Sequence, residues 1–87
     1  MNPRKRKENE KKFGKWIESD NKRTYFFEVK GRNGWKARYV KETDNNEKTL
    51  RFYQEIYNSE NELVEIHEKF PVDKGHQKIK RNGNNKR

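Results

Sequence analysis

Alternating apolar and polar residues dominate positions 49–68 and predict two antiparallel strands joined by a tight turn. In the first strand every second residue belongs to one largely apolar set, namely Leu50, Phe52, Gln54 and Ile56. Such alternation is typical of a strand that buries one face, and the stretch is rich in β-branched and aromatic residues without a proline. The central prediction is therefore a β-hairpin around which the other strands are arranged.

The turn of this hairpin predicts how its two strands align. A three-residue loop that ends at Asn61 suits the connection, since Asn tolerates the left-handed conformation that the last loop position requires. With this loop Tyr53 lies beside His67, and Glu55 lies beside Glu65. These four residues would then occupy the face away from the core, because side chains opposite each other share a face.

Two further turns extend the sheet toward the N-terminus. Gly34 fits the left-handed position of a three-residue loop that pairs Phe27 with Tyr39. A two-residue turn at 45–46, both asparagines, would pair Tyr39 with Phe52. Together the three turns predict one buried face, formed by Tyr25, Phe27, Val29, Trp35, Ala37, Tyr39, Leu50, Phe52, Ile56, Val64 and Ile66.

The predicted fold is all-β: a small antiparallel meander of four or five strands that curls into a partly closed barrel. The fifth strand is expected at 13–18, since Gly14 counts against a helix. The alternative is an α+β fold in which an N-terminal helix covers a four-stranded antiparallel sheet, because Phe13, Trp16 and Ile17 have helical spacing. The remaining strands are expected at 24–30, at 35–42 and in the two halves of 49–68.

The excess positive charge of +9 lies at the two ends of the chain. Residues 1–15 hold seven basic and two acidic groups, and residues 74–87 hold six basic groups and no acid, whereas residues 16–73 hold ten basic and twelve acidic groups. Basic ends favour a polyphosphate partner, with binding that weakens as salt rises. We expect a flexible basic segment at 1–12, a single small β domain at 13–76 and a flexible basic tail at 77–87.

Composition excludes several classes of protein. The chain contains no cysteine, so disulfides and thiolate metal sites are excluded. No apolar run is long enough to predict a membrane span, and no signal-peptide core is visible. The two histidines lack a spacing typical of metal ligands. We therefore expect a cytoplasmic protein with no membrane contact, no cofactor and no metal.

Candidate catalytic chemistry lies on the face away from the predicted core. The predicted registers place Glu28, Arg38, Tyr53 and His67 in one cross-strand row, with Glu55 in the next row. Metal-independent RNA cleavage needs a carboxylate base, an imidazolium acid and cations for the phosphate. Glu28 or Glu55 would be the base and His67 the acid. The competing interpretation is a solvated face with ordinary cross-strand ion pairs.

The function that this pattern favours is that of a small basic nucleic-acid-binding domain, with RNA preferred over DNA. A more specific version of this hypothesis is that the protein is a metal-independent ribonuclease. Aromatic rings interleaved with cations on a sheet surface stack bases while the cations contact phosphates. The alternative is a protein-interaction module without catalysis, either a small regulatory or antitoxin-type partner or a homodimer. The candidates for nucleic-acid contact are Lys36, Arg38, Arg51, Tyr53, Arg4, Lys5, Arg6, Lys7, Lys78, Lys80 and Arg81.

Overall fold

A computed structural model of the protein describes residues 2–79. Within this range the chain forms one N-terminal helix and six strands in a single sheet, in which every strand is antiparallel to its neighbour in sequence. The predicted meander is thus confirmed, with the N-terminal helix of the alternative added, but the sheet stays open and β1 and β6 are its edges. The elements are α1 (Pro3–Phe13), β1 (Lys15–Ser19), β2 (Lys22–Lys30), a 3₁₀ turn (Arg32–Gly34), β3 (Lys36–Thr43), β4 (Thr49–Tyr57), β5 (Leu63–Phe70) and β6 (Gly75–Lys78).

Helix α1 begins and ends with ordinary capping chemistry. The Asn2 side chain accepts a hydrogen bond from the Lys5 backbone N–H, Pro3 occupies the first turn, and Gly14 ends the helix at a φ of 81°. These are favoured residues at a helix start and at a left-handed helix end. The segment 1–12, which we expected to be flexible, therefore contains most of the helix. The strand expected at 13–18 does form, but it begins only after this cap.

An aromatic contact fixes the helix against the sheet. Phe13 is 4 % exposed, and its ring centroid lies 5.9 Å from Tyr25, 5.3 Å from Phe27 and 6.4 Å from Phe52. Burying one aromatic side chain contributes about 2–3 kcal/mol. Because Phe13, Tyr25 and Val40 are the only hydrophobic residues fully buried within residues 2–79, this single contact is a large part of a thin core.

A buried carboxylate reinforces the same junction. Glu47 lies in the loop before β4, is 3 % exposed and has a φ of 63°. It accepts hydrogen bonds from the Tyr25 hydroxyl at 2.6 Å, from Arg6 Nε at 3.1 Å and from Asn9 Nδ2 at 3.2 Å. Burial alone would raise the pKa of Glu47, but these hydrogen bonds outweigh burial and hold the pKa below its ordinary value.

The predicted alignment of β2 with β3 is confirmed, whereas that of β3 with β4 is wrong. Phe27 lies opposite Tyr39 as expected, but Tyr39 lies opposite Gln54 and not Phe52. The connecting loop is longer than the predicted two-residue turn because Glu47 takes a left-handed conformation within it. The pairing of β3 with β4 also shifts between Glu42 and Thr43, at the end of β3. The alignment shifts by two residues, so each side chain keeps its predicted face.

The alignment of β4 with β5 is also wrong, and here the faces change. The turn itself is as predicted, since the Asn58 N–H donates to the Glu62 carbonyl and Asn61 has a φ of 64°. A bulge after Ile56 then moves the pairing by one residue. Tyr53 lies opposite Glu68 and not His67, while Glu55 lies opposite Ile66 and not Glu65. A shift of one residue sends His67 to the opposite face of the sheet from Tyr53.

The sheet also gains a short edge strand that we did not predict. Strand β6 spans the predicted boundary between the β domain and the tail, and it places His76 opposite His67. The tail expected at 77–87 therefore begins inside a strand, and its residues 80–87 lie outside the described part of the chain.

Candidate nucleic-acid interface

The two faces of the sheet differ in chemistry. The helix-side face carries a row of directly opposed residues that crosses five strands. The open face carries the opposite set of side chains and has no described helix over it. The central row of the helix-side face consists of Phe27, Tyr39, Gln54, His67 and His76. The open face includes Phe26, Glu28, Lys36, Arg38, Val40, Arg51, Tyr53, Glu55, Tyr57 and Glu68.

Four of the predicted nucleic-acid contacts, Lys36, Arg38, Arg51 and Tyr53, share the open face, where both arginines are paired with carboxylates. Arg38 Nη2 lies 2.7 Å from a carboxylate oxygen of Glu28, and Lys36 lies 3.8 Å from the same oxygen. The Arg38 guanidinium holds the pKa of Glu28 below its ordinary value. Two opposite charges in contact leave little field for a phosphate, so this end of the open face is a weak polyanion site.

The second arginine on this face is paired just as closely. Arg51 donates from Nε and Nη2 to the two oxygens of Glu68, each at 2.7 Å, and its guanidinium stacks over the Tyr53 ring at 4.0 Å. A bidentate pair of this kind is among the stronger charge-assisted contacts. One face of the Tyr53 ring is therefore covered by a cation that is already paired with a carboxylate.

The three predicted catalytic residues are not brought together. Glu28 and Glu55 lie on the open face, where Glu55 accepts a hydrogen bond from the Tyr57 hydroxyl at 3.0 Å. His67 lies on the helix-side face, opposite Gln54. The predicted base and acid are thus separated by the thickness of the sheet, which rules out proton transfer by these groups to one bound phosphodiester.

His67 has different neighbours, which sequence reasoning missed. Its Nε2 lies 2.6 Å from Asp73 Oδ1, and its ring centroid lies 4.4 Å from that of His76. His76 Nδ1 lies 3.1 Å from a carboxylate oxygen of Glu65. The Gly75 N–H and the His67 ring hold the pKa of Asp73 below its ordinary value. These contacts attach the edge strand β6 to β5.

The other end of the central row is aromatic. The rings of Phe27 and Tyr39 stack with centroids 5.0 Å apart and planes 17° apart. Gln54 Nε2 donates to the Tyr39 hydroxyl at 3.1 Å. Helix α1 reaches across this face as far as β4, since Phe13 contacts both Phe27 and Phe52.

A lysine cluster surrounds this aromatic surface. It consists of Lys5, Lys12, Lys41 and Lys69, none of which has a carboxylate oxygen within salt-bridge distance in residues 2–79. Lys69 Nζ lies 5.4 Å from the Tyr39 ring centroid and 5.8 Å from that of Phe52. Lys12 and Lys41 line a hollow of about 220 Å³ with Phe13, Thr49, Phe52 and Phe70.

The pKa of Lys41 reflects its burial and nearby charges of both signs. Burial, together with the positive charges of Lys12 and Lys5, lowers the pKa of the Lys41 ammonium, and the carboxylates of Glu47 and Glu8 offset part of this effect. Its Nζ donates to a neutral acceptor, Asn9 Oδ1, at 3.0 Å. An anion placed in the hollow would relieve this repulsion. Lys12, Lys41 and Lys69 were not predicted, because their convergence depends on the docked helix.

The predicted basic ends divide into several environments. Arg6 is bound to the buried Glu47 and therefore acts in folding. Arg4 and Lys7 are exposed on the outer side of the helix, and Lys5 belongs to the lysine cluster. Lys78 lies on β6 opposite Glu65. Lys80 and Arg81 lie outside the described residues.

Comparison with known proteins adds no assignment: no family, no curated protein and no solved structure matches the chain. In residues 2–79 no three His, Asp or Glu side chains are placed to hold a metal ion together. The helix in this range is also too short and too polar to cross a membrane.

Proposed function

We propose that the protein binds single-stranded nucleic acid, RNA in preference to DNA, across the helix-side face. The observation that carries this proposal is the lysine cluster, whose ammonium groups lie beside half-buried aromatic rings and form no salt bridge within residues 2–79. Unpaired lysines attract phosphates, and aromatic rings stack on unpaired bases. RNA is favoured because unstacked single-stranded bases are its usual recognition element.

Charge placement favours this face over the open face that the sequence pointed to. On the open face Arg38 and Arg51 already contact carboxylates at 2.7 Å, and a phosphate would have to displace them. On the helix-side face Lys69 lies over the Tyr39 and Phe52 rings and Lys41 donates to an amide, and neither lysine forms a salt bridge within residues 2–79. The gain from a bound phosphate is therefore larger at the lysine cluster.

Binding of a labelled 12-nucleotide RNA and the matching DNA, measured by fluorescence anisotropy across a salt series, tests the proposal. The variant Lys12→Gln, Lys41→Gln, Lys69→Gln should weaken binding and flatten the plot of log affinity against log salt by about 2, because each lost phosphate contact removes about 0.7 from the slope. The matched control, which removes equal charge from the open side, is Lys22→Gln, Lys36→Gln, Lys74→Gln. Equal losses in the two variants would contradict the proposal.

The open face supports a second candidate, the protein-interaction module. A hollow of about 260 Å³ there is lined by apolar and aromatic groups, among them Ile17, Phe26 and Tyr57. Ile17 is 62 % exposed at its rim. Analytical ultracentrifugation tests whether a second copy covers this surface: the module predicts a dimer that Ile17→Glu dissociates, and a monomer at all concentrations would exclude self-association.

A further inference from the structure

We infer that the hollow between helix α1 and the end of β5 binds a terminal phosphate of the nucleic-acid strand, that is, a phosphate monoester, an inference that rests on the proposed function. The hollow has a volume of about 220 Å³. Pockets that enclose a drug-sized molecule begin at roughly 300 Å³, so a whole nucleoside does not fit inside it. A single phosphate group with a few waters does fit, since one water takes about 30 Å³.

Three parts of the fold surround the hollow. Lys12 and Phe13 of α1 form one side, and Phe70 at the end of β5 forms the other. The floor between them belongs to β3 and β4 and consists of Lys41, Thr49 and Phe52. Because walls stand on both sides of this floor, a strand that ends in the hollow fits better than a strand that continues beyond the phosphate in both directions.

The polar groups of the lining suit a doubly charged anion. Lys12 and Lys41 supply two ammonium groups that form no salt bridge within residues 2–79, and Thr49 supplies a hydroxyl. The Glu47 carboxylate, whose charge also acts on Lys41, is engaged by Arg6. A phosphate monoester carries a charge of about −1.5 to −2 at pH 7, whereas each phosphate within a strand carries a single charge. The second charge gains most at a half-buried ammonium such as that of Lys41.

A bulge in β5 brings a third lysine next to the hollow. In β4 Phe52 lies opposite Phe70, but the residue after Phe52 lies opposite Glu68, so Lys69 is an extra residue of β5. Neighbouring residues of a regular strand point to opposite faces, and a bulge re-aims them. Here Phe70 lines the hollow, while the Lys69 ammonium lies 5.8 Å from the Phe52 ring centroid. Lys69 is outside the lining and is therefore placed for the next phosphate of a strand that leaves the hollow over the Phe52 ring.

Competition against the labelled 12-nucleotide RNA, read by anisotropy, tests this assignment. The competitors are three uridine octamers, with a 5′ phosphate, with a 3′ phosphate and with hydroxyls at both ends. At least one phosphorylated octamer should bind about tenfold more tightly than the hydroxyl octamer, the factor expected from an additional charge-assisted hydrogen bond. Uridine monophosphate should compete far more weakly, because it lacks the next phosphate. Competition by uridine monophosphate as strong as that of the phosphorylated octamer would overturn the assignment to a strand end.

Variants locate the preference within the lysine cluster. Lys12→Gln and Lys41→Gln should each reduce the tenfold preference to less than about threefold, because each removes one charged donor from the lining. The matched control Lys69→Gln removes an equal charge outside the lining, so it should weaken all octamers alike and keep the preference. A preference that survives in Lys12→Gln and Lys41→Gln would overturn the site. Circular dichroism checks the fold, and the exposed Lys12 provides the decisive variant if Lys41→Gln, which alters the contact with Asn9, loses structure.

The outcomes separate this inference from the proposed function. Equal competition by the three octamers would overturn the terminal-phosphate site and leave nucleic-acid binding in place. A labelled RNA that does not bind the protein at all would overturn both.

Discussion

Arg38 and His67 project from opposite faces of the sheet. Arg38 of β3 lies directly opposite Glu55 of β4 in the sheet. His67 of β5 lies opposite Gln54, the neighbour of Glu55 in sequence. One extra residue in β5 causes this separation, because successive side chains of a strand alternate between faces. The chemistry predicted for one pocket is thereby divided between two surfaces.

This division predicts that the protein does not cleave RNA through the predicted residues. A labelled single-stranded RNA incubated with the protein and a chelator should remain intact, because the carboxylate of Glu28 and the imidazole of His67 cannot reach one phosphodiester. Denaturing gel electrophoresis is the measurement. Cleavage that disappears in both His67→Ala and Glu28→Ala would show that the two residues act together and would contradict the structure.

Much of the fold could be predicted from local chemistry. Gly34 and Asn61 each take a left-handed conformation in the turn where it was expected. The bulge between β4 and β5 was not predicted, although the sequence contains a sign of it. Leu63 and Val64 are adjacent apolar residues, which interrupts strict alternation as β5 begins. A register extrapolated from the turn alone passes over such an interruption, and all side chains beyond it are then assigned to the wrong face.

The candidate site was harder to predict because it depends on contacts between distant segments. Helix α1 is strongly charged, and its place on the sheet depends on Phe13 and on the buried Glu47, which lies 41 residues after its partner Arg6. Nothing in the local pattern identifies Glu47 as buried. Lys12 and Lys41 are brought close together only when the helix packs on the sheet, so the lysine cluster could not be predicted from the sequence pattern. Strand β6 was missed because it lacks apolar alternation.

Glu47 is expected to be the polar residue whose loss is most costly. Glu47→Gln removes a buried charge that accepts hydrogen bonds from Tyr25, Asn9 and Arg6, and it leaves the Arg6 guanidinium without its partner. Removing one partner of a buried ion pair lowers the free energy of unfolding by about 3 kcal/mol or more. Urea unfolding should show this loss, whereas Glu60→Gln on the exposed turn should change stability by less than about 0.5 kcal/mol. Similar midpoints for the two variants would mean that Glu47 does not hold the helix.

Tyr25 should make the fold sensitive to alkali. Burial, followed by the hydrogen bond to Glu47, raises the pKa of the Tyr25 phenol to about 12. A group whose pKa is higher in the folded state contributes stability that is complete below its unfolded pKa, about 10 for tyrosine, and that is lost as pH rises through the folded value. The free energy of unfolding should therefore fall between about pH 10 and about pH 12.

The variant Tyr25→Phe isolates this contribution. It removes the hydroxyl but keeps the ring that contacts Phe13 and Trp16, so it should be less stable than the parent at pH 8. Between about pH 10 and about pH 12 it should lose less stability than the parent, because the buried phenol no longer ionises on unfolding. Ultraviolet titration at 295 nm should also lose its latest tyrosine step. Parallel pH profiles for the two proteins would show that the Tyr25 hydroxyl titrates alike in the folded and unfolded chains.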